Sequence, residues 1–187
     1  MNGEPLTKKD MFFYSVGGIA QDGSSCLVSS FLLFFFTSIA GIRPAAAGTI
    51  VGVGTIISSA WNPVVGFLSD HAVTAKGRRR LFLLLAMLPL AVSTVLCFTV
   101  VQGSDGFRIR YYSLLVVICK ASEATYYSPW LALRSTYTSD YDQRLELRQI
   151  TYVVTQFGCV AGSSLPLVAV DRMQKALGLT EARAWQL

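Results

Sequence analysis

The sequence predicts an all-α membrane protein with about five transmembrane helices. Its composition is 52% hydrophobic and only 14% charged, with a mean hydropathy of +0.48, which suits a polytopic membrane protein better than a soluble domain. Residues 44–69 and 81–104 carry no charge, and about 20 apolar residues in a helix cross a bilayer core of about 30 Å. The short loop between them holds a basic cluster at 76–80, and such clusters accumulate in cytoplasmic loops.

The two charge-free stretches and the basic loop between them form a predicted membrane hairpin with its turn in the cytoplasm, and the other segments are placed relative to it. We predict a cytoplasmic N-terminus over residues 1–10 and a transmembrane bundle over residues 11–170. The expected spans are residues 11–41, 45–69, 81–101, 111–133 and 149–170. Residues 171–187 are expected to form an outer loop, with room for the start of a sixth helix at 184–187. Gly48 and Gly52 are expected to form a close contact with a neighbouring helix, since small residues four apart allow one.

Several classes of function are excluded. The net charge of +5 arises from loops between apolar spans rather than from one basic face, so we expect no nucleic-acid partner. His71 is the only histidine, and no nucleophile and base occur at a workable spacing, so we expect neither an enzyme nor a metal or other cofactor. The cysteines fall inside predicted spans with no C-x-x-C spacing, which favours small buried apolar residues over disulfides. They are Cys26, Cys97, Cys119 and Cys159.

The hairpin turn carries a family signature. Gly66 and Asp70 stand four residues apart before the loop, and Gly77 precedes the arginine run that begins at Arg78. This pattern resembles the cytoplasmic signature between the second and third helices of major facilitator transporters. Its long spacing, with Asn62-Pro63 before it, resembles the glycoside-pentoside-hexuronide:cation symporters of the melibiose permease type.

A second signature follows the fourth predicted span. The segment 139–144, with Asp140, Asp142 and Arg144, resembles the acidic loop between the fourth and fifth helices of the same symporters. The resemblance implies a major facilitator-type N-terminal helical bundle, here incomplete. It also implies a twelve-helix transporter whose two halves rock about a central site and couple a small, sugar-like polar solute to proton or sodium symport.

The resemblance also implies site residues. Asp22 matches the helix-one carboxylate that contacts sugar in the melibiose permease type. At the two helix-two carboxylate positions this sequence has Ser58 and Asn62, at the helix-four carboxylate position Tyr127, and at the helix-five arginine position Thr151. A sodium site needs several hard oxygen ligands, so these replacements weaken the expectation of an inherited sodium site.

Two charges in the fourth span offer a replacement. Lys120 and Glu123 are three residues apart, and Glu123 precedes Tyr127 by four, so all three share one helix face. One hypothesis is that Asp22, Lys120 and Glu123 line the cavity and that one carboxylate carries a coupling proton. The alternative is a structural Lys120–Glu123 ion pair within the helix packing.

The loop charges predict a gate. Asp70 and Arg78 are expected to form a cytoplasmic latch, although the arginines also set topology. An ion network and a solvated loop are equally good accounts of the second signature. The predicted gating set is Gly66, Asp70, Gly77, Arg78, Asp140, Asp142 and Arg144.

Five spans cannot complete a site between two transporter halves. The expected partners are therefore a small solute, the lipid bilayer of a plasma or organelle membrane, and a missing second half or another chain. The alternative function is a non-transporting membrane interaction protein derived from a truncated transporter, which would bind other helices through its glycine and serine faces.

Overall fold

The computed structural model describes residues 7–71, 78–137 and 140–177, without the side chains of residues 70, 78–81, 134–137 and 173–177. All regular elements in these ranges are helical, which confirms the predicted all-α class. The helices are α1 (Lys8–Phe34), a π-helical turn over Phe35–Ile39, α2 (Pro44–His71), α3 (Arg78–Cys97), α4 (Asp105–Tyr137) and α5 (Tyr141–Leu177). Each predicted span overlaps one helix. However, α5 continues through 171–177, where a loop was expected, and 178–187 lie outside the described residues.

Helix length and composition agree with a membrane location. Within the described ranges, three segments are long and apolar enough to cross a membrane, namely Lys8–Ile39, Pro44–Ser69 and Tyr141–Arg172. A shorter apolar helix covers Phe82–Cys97. α4 is not among these segments, and it carries Lys120 and Glu123 near its middle.

The helices form two groups. α1 packs mainly against α5, whereas α4 packs against both α2 and α3. Contacts between the two groups are sparse by comparison. Space therefore remains between the α1–α5 pair and the α2–α3–α4 group, and the polar cavities described below lie there.

Glycines bring α1 and α5 into backbone contact. A Cβ atom at Gly158 would lie 2.5 Å from the carbonyl oxygen of Ile19, and a Cβ at Gly162 would overlap the carbonyl oxygen of Gly23. Small residues at this spacing allow membrane helices to approach closely. The hydroxyls of Ser15 and Thr151, 3.0 Å apart, add a polar contact to the same seam.

A disulfide joins these two helices. Cys26 of α1 and Cys159 of α5 are bonded, with Cα atoms 5.3 Å apart. The expectation that all four cysteines are small buried residues was therefore wrong for this pair, because the glycine contact brings two cysteines distant in sequence within bonding range. Cys97 and Cys119 are free and buried, as expected.

The predicted glycine contact of the second span was also wrong in its position. A Cβ at Gly48 or Gly52 would meet no atom within 4 Å, whereas a Cβ at Gly54 would lie 2.6 Å from Cγ1 of Val116. The face of α2 that carries Gly54 therefore packs on α4. Four-residue spacing identified a helix face but not the face that meets a neighbour.

Apolar side chains form two separate clusters. The larger one joins the end of α1 and the π-helical turn to α2, α3 and α4, and its fully buried members include Leu32, Phe35, Phe36, Tyr112 and Val116. The smaller one lies at the other end of the bundle and contains Met11, Tyr14, Trp130 and Leu147. A layer without a large apolar cluster lies between them.

The α1–α5 contact generates a prediction. We expect Gly158→Ala to destabilise the protein by about 1–3 kcal/mol, because an added methyl group overpacks a closely packed site. The measurement is the thermal unfolding midpoint of the detergent-solubilised protein, followed by tryptophan fluorescence.

Gly52→Ala is the matched control, since both changes raise helix propensity equally but position 52 is open. Equal midpoints for the two variants would contradict the close contact of α1 with α5.

Candidate functional site

A polar layer lies between the two apolar clusters. On α1 it falls between Tyr14 and Val28, and on α4 between Cys119 and Trp130. It borders an open cavity of about 240 Å³, lined by Gln21, Asp22 and Ser25 of α1, Thr55, Ser58, Ser59 and Asn62 of α2, and Lys120, Glu123, Ala124 and Tyr127 of α4. All five residues predicted for solute or cation binding line this cavity; their roles in binding stay predictions.

Lys120 and Glu123 form an ion pair in the cavity wall. Nζ of Lys120 donates a hydrogen bond to Oε2 of Glu123 over 2.8 Å, and the two side chains are 12% and 16% exposed. The three-residue spacing on α4 places both groups on one turn, as the sequence predicted. A pair that is mostly withdrawn from solvent interacts more strongly than a surface pair, because the surrounding dielectric is lower.

Two acceptors beside this pair lack partners. The Asp22 carboxylate has no hydrogen bond or ion pair with any residue that the structure describes. Gln21 is 3% exposed, and its Oε1 is buried without a hydrogen-bond partner. Buried polar atoms in native proteins are nearly always hydrogen-bonded, so Gln21 Oε1 is an exception, and it lies next to the partly exposed Asp22 carboxylate in the chain.

The α2 wall of the cavity is held by polar contacts with α4. Oγ of Ser128 donates to Oδ1 of Asn62 over 2.7 Å, and Nδ2 of Asn62 donates to the carbonyl of Ser58 over 3.0 Å. One turn before Ser128 on α4, Oγ1 of Thr125 accepts a hydrogen bond from Nε1 of Trp61 over 3.0 Å. These bonds fix the orientation of Asn62. Its Oδ1 and Nδ2 atoms each already have a hydrogen-bond partner within the protein.

A second cavity, of about 510 Å³, lies between α1, α4 and α5. It is lined by Asp22, Tyr127, Trp130, Leu131, Arg148, Gln149, Thr151, Tyr152 and Thr155. Asp22 and Tyr127 line both cavities, so they stand at the junction of one continuous polar region. The guanidinium of Arg148 and the Asp22 carboxylate belong to the same cavity.

Sequence reasoning missed Arg148, Trp130 and Gln21 as site residues. Arg148 was assigned to the cytoplasmic connector, but α5 begins at Tyr141, which puts Arg148 two turns inside the helix. It precedes Thr151 by three residues, so it lies one turn from the position where the resemblance implies an arginine. That spacing was the available signal.

Trp130 lines the second cavity and packs on α1. Its ring stacks on Tyr14, with centroids 5.2 Å apart, and the Tyr14 hydroxyl donates to the Trp130 carbonyl over 2.8 Å. Trp130 Nε1 is buried without a hydrogen-bond partner.

The structure describes only some of the residues predicted to form the gate. Gly66 lies in α2 with open space around it, while Gly77 and the side chains of Asp70 and Arg78 lie outside the described residues. Asp140 precedes the first turn of α5, where its Oδ1 accepts from the N–H of Asp142 over 3.1 Å and its carbonyl accepts from the N–H of Arg144 over 3.2 Å. Asp140 thus caps the start of α5, and a gating role for these residues stays a prediction.

Residues 13–187 match the family described as MFS/sugar transport protein. An isoprimeverose transporter of Lactiplantibacillus pentosus is 31% identical over 86% of this chain and 34% of that protein. The uncharacterized symporter YnaJ of Bacillus subtilis is 30% identical over 93% of this chain and 37% of its own length. The putative glycoside/cation symporter YagG of Escherichia coli is 28% identical over 88% of this chain and 36% of its own length.

The chain therefore spans about a third of the length of these curated relatives. The relatives confirm the resemblance to glycoside-type cation symporters that the loop signatures carry. The family match covers nearly the whole chain and accounts for its helices of membrane-crossing length. This multi-pass integral membrane protein belongs to the MFS/sugar transport family.

Proposed function

We propose that this protein is a secondary active transporter for a small polar organic solute, and that the two cavities around Asp22 form its part of the solute-binding site. The observation that carries the proposal is the pair of unsatisfied acceptors, Asp22 and Gln21 Oε1, in the polar layer between the apolar clusters. A carboxylate within a membrane span is costly and usually functional. A donor on a solute would satisfy the Asp22 carboxylate, which lines both cavities.

The cavity walls support a sugar-like solute. The lining of the two cavities combines carboxylate, amide and hydroxyl side chains with the aromatic residues Tyr127, Trp130 and Tyr152. Hydroxyl groups of a sugar donate to such oxygens, while its apolar C–H face packs on an aromatic ring. The names of the relatives, an isoprimeverose transporter and a glycoside/cation symporter, support the same class. They also favour transport over the membrane interaction protein.

The relatives also support coupling to a cation. We propose symport with a proton or a sodium ion, with Glu123 or Asp22 as the carboxylate that carries or attracts the ion. The proposed transport path needs a second half, supplied either by further helices of the same protein or by another chain, because the cavities of this bundle lie at its open faces.

The first test is solute uptake. We expect the protein, as its gene encodes it, to take up a glycoside or pentoside into proteoliposomes, and Asp22→Asn to lower that uptake at least about tenfold. A hydrogen bond to a charged group contributes about 1.5–3 kcal/mol, and about 1.4 kcal/mol corresponds to a factor of ten.

Glu146→Gln is the matched control, because Glu146 is an exposed carboxylate of α5 that lines neither cavity. If folded wild-type protein moved no solute of a broad sugar and amino-acid panel, transport itself would be refuted. If Asp22→Asn transported normally, the site would be misplaced.

The second test separates coupling from binding. We expect Glu123→Gln to abolish uptake driven by an imposed pH gradient, because the amide cannot exchange a proton, while the amount of folded protein stays unchanged. Solute counterflow without a gradient should persist. Full gradient-driven uptake in this variant would show that Glu123 carries no coupling proton and is a structural partner of Lys120.

A further inference from the structure

The ammonium group of Lys120 lies inside the proposed solute site. It is 12% exposed and bonded to Glu123 at 2.8 Å. The only other charged residue in the wall of the smaller cavity is Asp22; the remaining polar groups there are hydroxyls and amides. The described lining of this cavity thus holds one fixed cation and two carboxylates.

The packing of α2 on α4 fixes the stem of Lys120. A Cβ at Gly54 would lie 3.5 Å from Cγ of Lys120 and 2.6 Å from Cγ1 of Val116. The glycine therefore leaves the space in which the lysine stem runs between the two helices. Held at its stem and bonded at its tip, Lys120 is built into the cavity wall and does not extend to a membrane surface, as lysines near helix ends do.

A fixed ammonium competes with an alkali cation for the same carboxylate. Hard cations bind where several oxygens, with carboxylates among them, surround one point. Here the Glu123 carboxylate is already neutralised by Lys120, and a second positive charge beside Nζ is repelled strongly in a low-dielectric site. For a sodium ion, the wall of this cavity therefore offers only the Asp22 carboxylate, beside neutral hydroxyl and amide oxygens.

We propose that Lys120 acts as a built-in cation, which takes the place of a sodium ion and makes solute binding at this site independent of sodium. This inference deepens the proposed transport function and rests on it. Lys120 is then the residue that determines coupling-ion specificity: its ammonium is the counter-ion of the ionised Glu123, so a sodium ion finds no vacant carboxylate at Glu123, whereas Glu123 can still exchange a proton.

The test is sodium binding to the protein as its gene encodes it. The measurement is the thermal unfolding midpoint in sodium chloride compared with choline chloride at equal ionic strength. We expect no sodium-specific shift for the wild type. We expect a sodium-dependent rise in the midpoint for Lys120→Met, because removal of the ammonium leaves Glu123 as a vacant carboxylate among hydroxyl and amide oxygens.

Two matched variants isolate the charge. Lys120→Arg keeps the cation and should stay insensitive to sodium, and the double variant Lys120→Met/Glu123→Gln removes both charges and should also stay insensitive. In uptake assays, Lys120→Met should become sodium-stimulated by about tenfold or more, the effect of about 1.4 kcal/mol.

The outcomes separate the two proposals. A sodium-specific shift of the wild-type unfolding midpoint would overturn the role of Lys120 even if transport is demonstrated. This measurement does not depend on whether any variant folds. A folded Lys120→Met protein that ignores sodium would also overturn it. Absence of uptake in a wild type that shows the expected ion responses would instead count against the transport function.

Discussion

The close contact between α1 and α5 is the constraint on which the rest of the bundle depends. Where Gly23 meets Gly158 and Gly162, the two backbones touch, and a disulfide between Cys26 and Cys159 joins them one turn further on. One face of α1 is therefore fully occupied. The remaining face, with Gln21 and Asp22, is directed to the space beside α2 and α4. The polar layer is thus a consequence of pairing α1 with α5.

Much of the fold follows from the sequence, because charge-free stretches and a basic loop are local signals of membrane helices. What the sequence did not reveal is which helices are neighbours. The disulfide escaped prediction since its cysteines are 133 residues apart and meet only through that pairing. For the same reason Gly48 and Gly52 were assigned a contact that Gly54 makes. Helical periodicity identifies a face of a helix, whereas the partner of that face depends on tertiary packing.

The candidate site shows the same division. Lys120 and Glu123 could be placed together because their spacing determines their relative position within one helix. Asp22 was singled out by its cost inside an apolar span. Gln21 and Arg148 carry no comparable local signal, since an amide in α1 and an arginine near a helix start are ordinary residues. They line cavities only because of how the neighbouring helices pack: Gln21 faces one beside α2 and α4, and Arg148 one beside α1 and α4.

The replacements on α2 and α4 in the polar layer all remove negative charge from positions where the resemblance implies carboxylates. Where the resemblance implies carboxylates, this chain has Ser58, Asn62 and Tyr127, all neutral. Carboxylates in a low-dielectric site need cations, which a symporter of the melibiose permease type takes from solution. In this chain the ammonium of Lys120 pairs with Glu123 on the same helix, so the desolvation of that carboxylate is compensated on folding. Asp22 is then the carboxylate in the wall of the smaller cavity that has no ion-pair partner among the described residues.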